Sequence, residues 1–121
     1  IVVSPDEHLN LNLEANSFYK FEIIFYQNSD TSADFRMKFV GPSGSIGFYH
    51  HDLDNIQAQR FSLTTELAIQ GSPLGAVGGA AIGYIETTNA GNFNVNWSQY
   101  VTNAIPSIFL KGSNIVFTKL N

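Results

Sequence analysis

Hydrophobic and polar residues alternate with a period of two along much of this chain, and no stretch sustains the spacing of an amphipathic helix. Leu9, Leu11 and Leu13 alternate with Asn10 and Asn12, and Glu14-Ala15-Asn16-Ser17 reads as a turn into a long aromatic strand, Phe18 to Gln27. Asn28 to Ala33 is a polar loop. Asp34 to Val40 sets Phe35, Met37 and Phe39 against Arg36 and Lys38. Gly41-Pro42-Ser43-Gly44 predicts a hairpin turn, with Pro fixing φ and Gly free to take a positive one, and it leads into a strand from Ser45 to Tyr49. Arg60 to Gln70 reads as one strand with Phe61, Leu63, Thr65, Leu67 and Ile69 on a shared face, long enough to need a bend or to run along a sheet edge. Past a Gly-rich segment, Gly71 to Gly79, the run Ala80 to Thr87 is a strand with little bulk on one side. Asn92, Asn94 and Asn96 then interleave with Phe93, Val95 and Trp97, which puts aromatics on one sheet face and amides on the other. A polar loop around Trp97-Ser98-Gln99 and a short hairpin pivoting on Lys111-Gly112-Ser113 are expected to close the chain, with Phe109 and Asn114 to Leu120 as its arms.

These segments amount to about eight strands, spaced by roughly 8 to 15 residues, and point to an all-β fold: an antiparallel two-sheet jelly-roll sandwich. An immunoglobulin-like sandwich is the nearest competitor, but its Cys and Trp framework is missing. Both chain ends are strand-like and are expected to pair in one sheet.

Composition narrows the picture. The 121 residues suit a single domain spanning 1–121, and 44% hydrophobic content with ten Phe and five Tyr is enough apolar matter for one core. A net charge of -4 with six scattered Lys and Arg does not make the clustered basic patch that nucleic acid requires. With no cysteine, neither disulfides nor thiolate metal sites are available. No apolar run approaches the roughly 20 residues that span a bilayer as a helix, so membrane insertion is not expected. Ile1 is neither an initiator Met nor the start of a signal peptide, which suggests a processed product or part of a longer polypeptide.

Reactive constellations are sparse, and no catalytic, cofactor-binding or metal residue is nominated. His50-His51-Asp52 with Asp54 brings imidazoles and carboxylates close in sequence, but neighbours in an extended chain point to opposite faces, so a solvated loop is the simpler reading. Asp52-Leu53-Asp54-Asn55 has neither the Gly at the sixth position nor the Glu at the twelfth of a calcium loop. No Gly-Lys-Ser/Thr follows Gly71 to Gly79, so a tightly packed or flexible connection between strands is the simpler reading than a phosphate loop. Ser43 lies outside a nucleophile-elbow pattern. Asp6, Glu7, Asp52, Asp54, Glu66 and Glu86 are too dispersed to pair for glycoside hydrolysis. The chain reads as a non-enzyme.

The aromatics carry more. Phe18, Tyr19, Phe21, Phe25 and Tyr26 occupy both parities of one strand, so both of its faces are expected to be covered, one by the core and one by a subunit interface. Tyr49, Trp97 and Tyr100 suit core or interface packing, or stacking on sugar rings in a receptor groove. Tyr19, Tyr26, Tyr49, Trp97 and Tyr100 are therefore the candidate interface or glycan contacts.

Three groups of residues carry a resemblance. They are Leu9-x-Leu-x-Leu with Glu14-Ala15-Asn16-Ser17-Phe18-Tyr19-Lys20-Phe21-Glu22; Asp34-Phe35-Arg36-Met37-Lys38-Phe39-x-Gly41-Pro42-Ser43-Gly44; and Asn96-Trp97-Ser98-Gln99, Thr102-Asn103 and Leu110-Lys111-Gly112-Ser113-Asn114-Ile115-x-Phe117-Thr118-Lys119-Leu120. Together they resemble a β-domain at the C-termini of bacteriophage tail fibres and other virion surface proteins. The resemblance implies a homotrimeric sandwich on the virion surface, decorating the capsid or forming a fibre or tail tip, similar in outline to tumour-necrosis-factor-like or complement-C1q-like heads. It implies other virion proteins as partners, aligns Lys119 with a basic residue usual near the C-terminal end, and brings no catalytic position. A receptor- or carbohydrate-binding module of a fibre, meeting a host surface glycan, is the alternative.

Overall fold

A computed structural model describes residues 4–29, 34–51, 61–62, 67–69, 77–99, 104 and 107–121. Ten strands occupy them: β1 Ser4–Leu13, β2 Phe18–Asn28, β3 Phe35–Val40, β4 Ile46–His51, β5 Phe61–Ser62, β6 Leu67–Ile69, β7 Val77–Glu86, β8 Gly91–Gln99, β9 Ile108–Phe109 and β10 Asn114–Lys119. They form two antiparallel sheets, one of four strands in the order β1-β8-β3-β6, the other of six in the order β10-β2-β7-β4-β5 with β9 also on β2. The all-β sandwich expected from the alternation is present.

The pairing is nested. β1 pairs β8, β2 pairs β7, β3 pairs β6 and β4 pairs β5, so the chain behaves as one long hairpin rolled until alternate strands fall in opposite sheets. β4–β5 is the one sequential pair that is hydrogen-bonded among the described strands. Gly41–Ser45 is therefore an arch between sheets, where a hairpin was expected. Its Gly44 takes φ +78° as anticipated, and Ser45 N–H donates to the Pro42 carbonyl at 3.0 Å, which places Pro42 at the first position of the turn. Arg60 to Gln70 is likewise not one strand: β5 lies in the six-stranded sheet and β6 in the four-stranded one, with residues 63–66 outside the described part. The strand ends also depart from expectation, since β1 and β10 edge different sheets.

Lys111-Gly112-Ser113 does not pivot a hairpin. Phe109 opposes Gln27 and Asn114 opposes Ile24, so β9 and β10 follow the same edge of β2 in the same direction, and Leu110–Ser113 is a bulge between them. Leu110 N–H donates to the Tyr26 carbonyl at 2.8 Å and Tyr26 N–H donates to Ser113 Oγ at 2.9 Å, a hydroxyl replacing the missing backbone partner. Gly112, at φ +93°, completes the excursion. Similarly, Trp97-Ser98-Gln99 lies within β8 and not in a loop.

The core uses both inner faces. Phe21 and Phe117 from the six-stranded sheet meet Phe39 and Phe93 from the other, with ring centroids 5.1 Å apart for Phe21–Phe93 and 4.9 Å for Phe93–Phe117. Opposite Phe25, Ile23 and Phe21 on β2, the neighbouring β7 presents Gly79, Ala81 and Gly83. Gly83 is required there: a Cβ would fall on the Phe21 ring and within 2.6 Å of the Phe48 carbonyl oxygen. Large and small residues thus interlock across β2–β7, as dense packing demands.

Tyr49, 2% exposed, lies in this core against Phe39, and burial pushes its phenol up to about 12. An unfolded tyrosine titrates near pH 10, so between about pH 10 and 12 the folded chain keeps a proton that the unfolded chain has lost. Tyr49 therefore adds full stability below about pH 10 and loses it as pH rises, by about 1.4 kcal/mol per unit. Thermal unfolding followed across this range is expected to show a falling midpoint, with a shallower fall in Tyr49→Phe.

Candidate functional site

Tight arches lock one end of the sandwich. Thr87 N–H donates to the Ser17 carbonyl at 2.9 Å and Ser17 N–H donates to Thr87 Oγ1 at 3.1 Å, tying the β1–β2 arch to the β7–β8 arch. Asn89 Nδ2 donates to the Ser43 carbonyl at 2.9 Å, adding the β3–β4 arch. Lys119 pairs with Glu14 at the same end, and that hydrogen bond raises its ammonium above the ordinary lysine value. With the frame fixed, the two outer sheet faces are the surfaces on which chemistry is displayed.

On the six-stranded sheet, register places outward residues in rows across β10, β2, β7 and β4. One row is Thr118, Lys20, Tyr84 and Phe48; the next is Val116, Glu22, Ile82 and His50. Ile24 lies beside Ala80, Tyr26 beside Gly78, and Phe18, Glu86 and Ile46 close the far end. Phe18, Tyr84 and Phe48 form an aromatic row, the Phe48 and Tyr84 rings 6.4 Å apart and nearly parallel. Ile24 and Tyr26 are each 42% exposed, Val116 55% and Ile46 57%. The apolar band is continuous from Ile46 to Tyr26. Tyr26 is held over a gap between strands: a Cβ on Gly78 would come within 2.8 Å of its ring, and Gly112 lies against the opposite edge. The ring thus covers bare glycine backbone on both sides. Lys20 and Glu22 form a half-exposed 4.0 Å pair on this face, which adds little on its own.

The outer face of the four-stranded sheet is its chemical opposite. Register sets Asn12 beside Asn92, Asn94 between Asn10 and Val40, Asn96 beside Lys38 and Ser98 beside Arg36. Arg36 Nε donates to Ser98 Oγ at 2.9 Å. On β3 and β8 this face presents amides, a hydroxyl and two cations.

The aromatic residues singled out from the sequence divide between these environments. Of the four that are described, Tyr26 alone stands on an outer face. Tyr19 is 7% exposed, points inward, and its phenol oxygen accepts from Glu14 N–H at 2.9 Å. Tyr49 is a core residue, Trp97 stacks on Phe35 at 5.4 Å along the inner face, and Tyr100 lies outside the described residues. The structure does not bring Tyr19, Tyr26, Tyr49 and Trp97 together into a groove. Ile24, Ile82, Tyr84 and Val116 were missed, although the opposite parities of β2 and β10 signal them once the inward residues are known.

His50 is exposed on the outer face of β4, while Asp52 and Asp54 lie outside the described residues; no group of three metal-ligating side chains occurs among those described. Gly71–Ala76 also lies outside them, and Gly78 and Gly79 belong to β7. Ser43 is exposed in its arch.

The fold and its faces define a β-sandwich with an apolar face on one sheet and an amide-rich face on the other. Comparison with protein-family models, with curated proteins and with solved structures finds no match in any of the three.

Proposed function

We propose that this chain is a non-enzymatic structural protein of a virion surface, a homotrimeric β-sandwich of jelly-roll type that decorates a capsid or forms a fibre or tail tip among other virion proteins. The observation that carries self-assembly is the apolar band on the six-stranded sheet, because monomers seldom expose a contiguous patch of this kind and oligomers bury it. The nested strand pairing supports the jelly-roll reading, since strands of such a fold pair around a single central turn. The virion setting and the three-fold count rest on the resemblance of the strand and turn residues to phage surface domains. Light scattering at micromolar concentration is expected to give three times the 13.3 kDa chain mass. A stable monomer would overturn self-assembly, and a stable dimer would overturn the three-fold arrangement. Antibody labelling of intact particles tests the location.

The carbohydrate-binding alternative keeps one specific support, the asparagine face of the four-stranded sheet. It moves from the tyrosines to the amides.

A further inference from the structure

We propose that the outer face of the four-stranded sheet binds a carboxylated saccharide, with Asn12, Asn92, Asn94 and Asn96 reading ring hydroxyls and Lys38 and Arg36 meeting the carboxylate. The proposal deepens the carbohydrate-binding alternative and is independent of trimerisation, which uses the opposite face.

Three observations carry it. First, the alternation of β8 combines with the registers of β1 and β3 to gather Asn10, Asn12, Asn92, Asn94 and Asn96 on one flat surface, whose directly opposed side chains stand about 5 Å apart. A carboxamide offers two donors and an acceptor, and a sugar hydroxyl both donates and accepts, so neighbouring amides match vicinal hydroxyls. Second, the amides of Asn12, Asn92, Asn94 and Asn96 are not spent on the fold. A purely structural asparagine ladder would bond amide to amide across the strands. No hydrogen bond among the described residues involves the side chain of Asn12, Asn92, Asn94 or Asn96. Asn96 Oδ1 is withdrawn from solvent with no partner, a condition that costs about 1–3 kcal/mol. The terminal torsion of Asn is soft, so the amide turns outward readily once a ligand hydroxyl is there to donate to it.

Third, two cations stand beside the amides. Lys38 lies directly opposite Asn96, and Arg36 opposite Ser98 on the same face of β3. Successive residues on one face of a strand are about 7 Å apart, so both cations are in reach of one acidic sugar. Two cations are too few for a nucleic-acid backbone. Val40 is the one large apolar side chain that β3 and β8 present on this face.

The test is titration calorimetry or NMR with monovalent probes, so that avidity plays no part: 3′-sialyllactose and trigalacturonate, against lactose and citrate. Both acidic saccharides are expected to bind more tightly than either control. Lys38→Glu and, separately, Asn94→Asp are expected to weaken that binding about tenfold or more, equivalent to about 1.4 kcal/mol, with the thermal unfolding midpoint and the oligomer mass unchanged. The proposal is overturned if neither acidic saccharide binds the native protein at about 10 mM, a ceiling weaker than a useful saccharide site. It is also overturned if citrate binds as tightly as they do, or if folded Lys38→Glu and Asn94→Asp bind undiminished. Retained mass with lost binding in the variants, or binding by a native monomer, would separate this site from the assembly face.

Discussion

Phe21→Ala is expected to destabilise the chain by about 4 kcal/mol, among the largest effects of any single truncation here. Phe21 is fully buried and its ring touches Phe39 and Phe93 across the sandwich and Phe117 beside it, with centroids at 5.4, 5.1 and 5.7 Å. The neighbouring strand presents only Gly83 directly opposite, and Ala81 and Ile85 on either side of it are already buried against other partners, so the space is not refilled. The loss therefore combines the transfer free energy of a phenyl ring with the cost of a cavity that does not collapse. Against a typical domain stability of about 5–15 kcal/mol, this removes between about a quarter and four-fifths of the total. Chemical denaturation at one fixed protein concentration measures it, since assembly would otherwise shift the apparent stability.

The second large effect concerns association. Ile24→Lys is expected to change the fold of an isolated chain by no more than about 0.5 kcal/mol, because the side chain is 42% exposed on an outer face. In an assembly that buries the band from Ile46 to Tyr26, the same substitution buries an ammonium between Ala80 on β7 and Asn114 on β10. Burying an unpaired charge is costly enough to dissociate the complex. Light scattering is then expected to report a mass near 13.3 kDa with an unchanged circular dichroism spectrum. Asn92→Lys, also exposed but on the other sheet, should leave the mass as it is.

What the sequence made legible follows from what period two can and cannot encode. Alternation placed Phe93, Val95 and Trp97 on one face of β8 and the asparagines on the other, and the structure agrees. Parity is a relative label, however. In β2 both parities are rich in large apolar residues, and only the opposing sheet shows that Tyr19 faces inward and Tyr26 outward. Turn chemistry has a similar limit. Gly44 enables a reversal, but a hairpin within one sheet and an arch between two sheets ask the same φ of that residue, and the difference lies in where β3 and β4 find partners. Lys111-Gly112-Ser113 misleads for the same reason: the turn is real, but Tyr26 on β2 captures both of its arms on one edge. The division of Arg60 to Gln70 leaves no sequence mark, since Phe61, Leu67 and Ile69 keep one parity across the break.

The nested pairing also governs how the chain acquires its structure over time. A ribosome that has delivered β1 to β4 has made four strands whose main partners are still untranslated: β2 needs residues 77–86 and β1 needs residues 91–97. Closure of such distant contacts is slow, typically milliseconds to seconds, and for that interval the aromatic strand Phe18–Asn28 shows both hydrogen-bonding edges to its surroundings. Synthesis of this protein at high copy number therefore favours conditions that delay encounters between nascent chains, such as low temperature or chaperone capture.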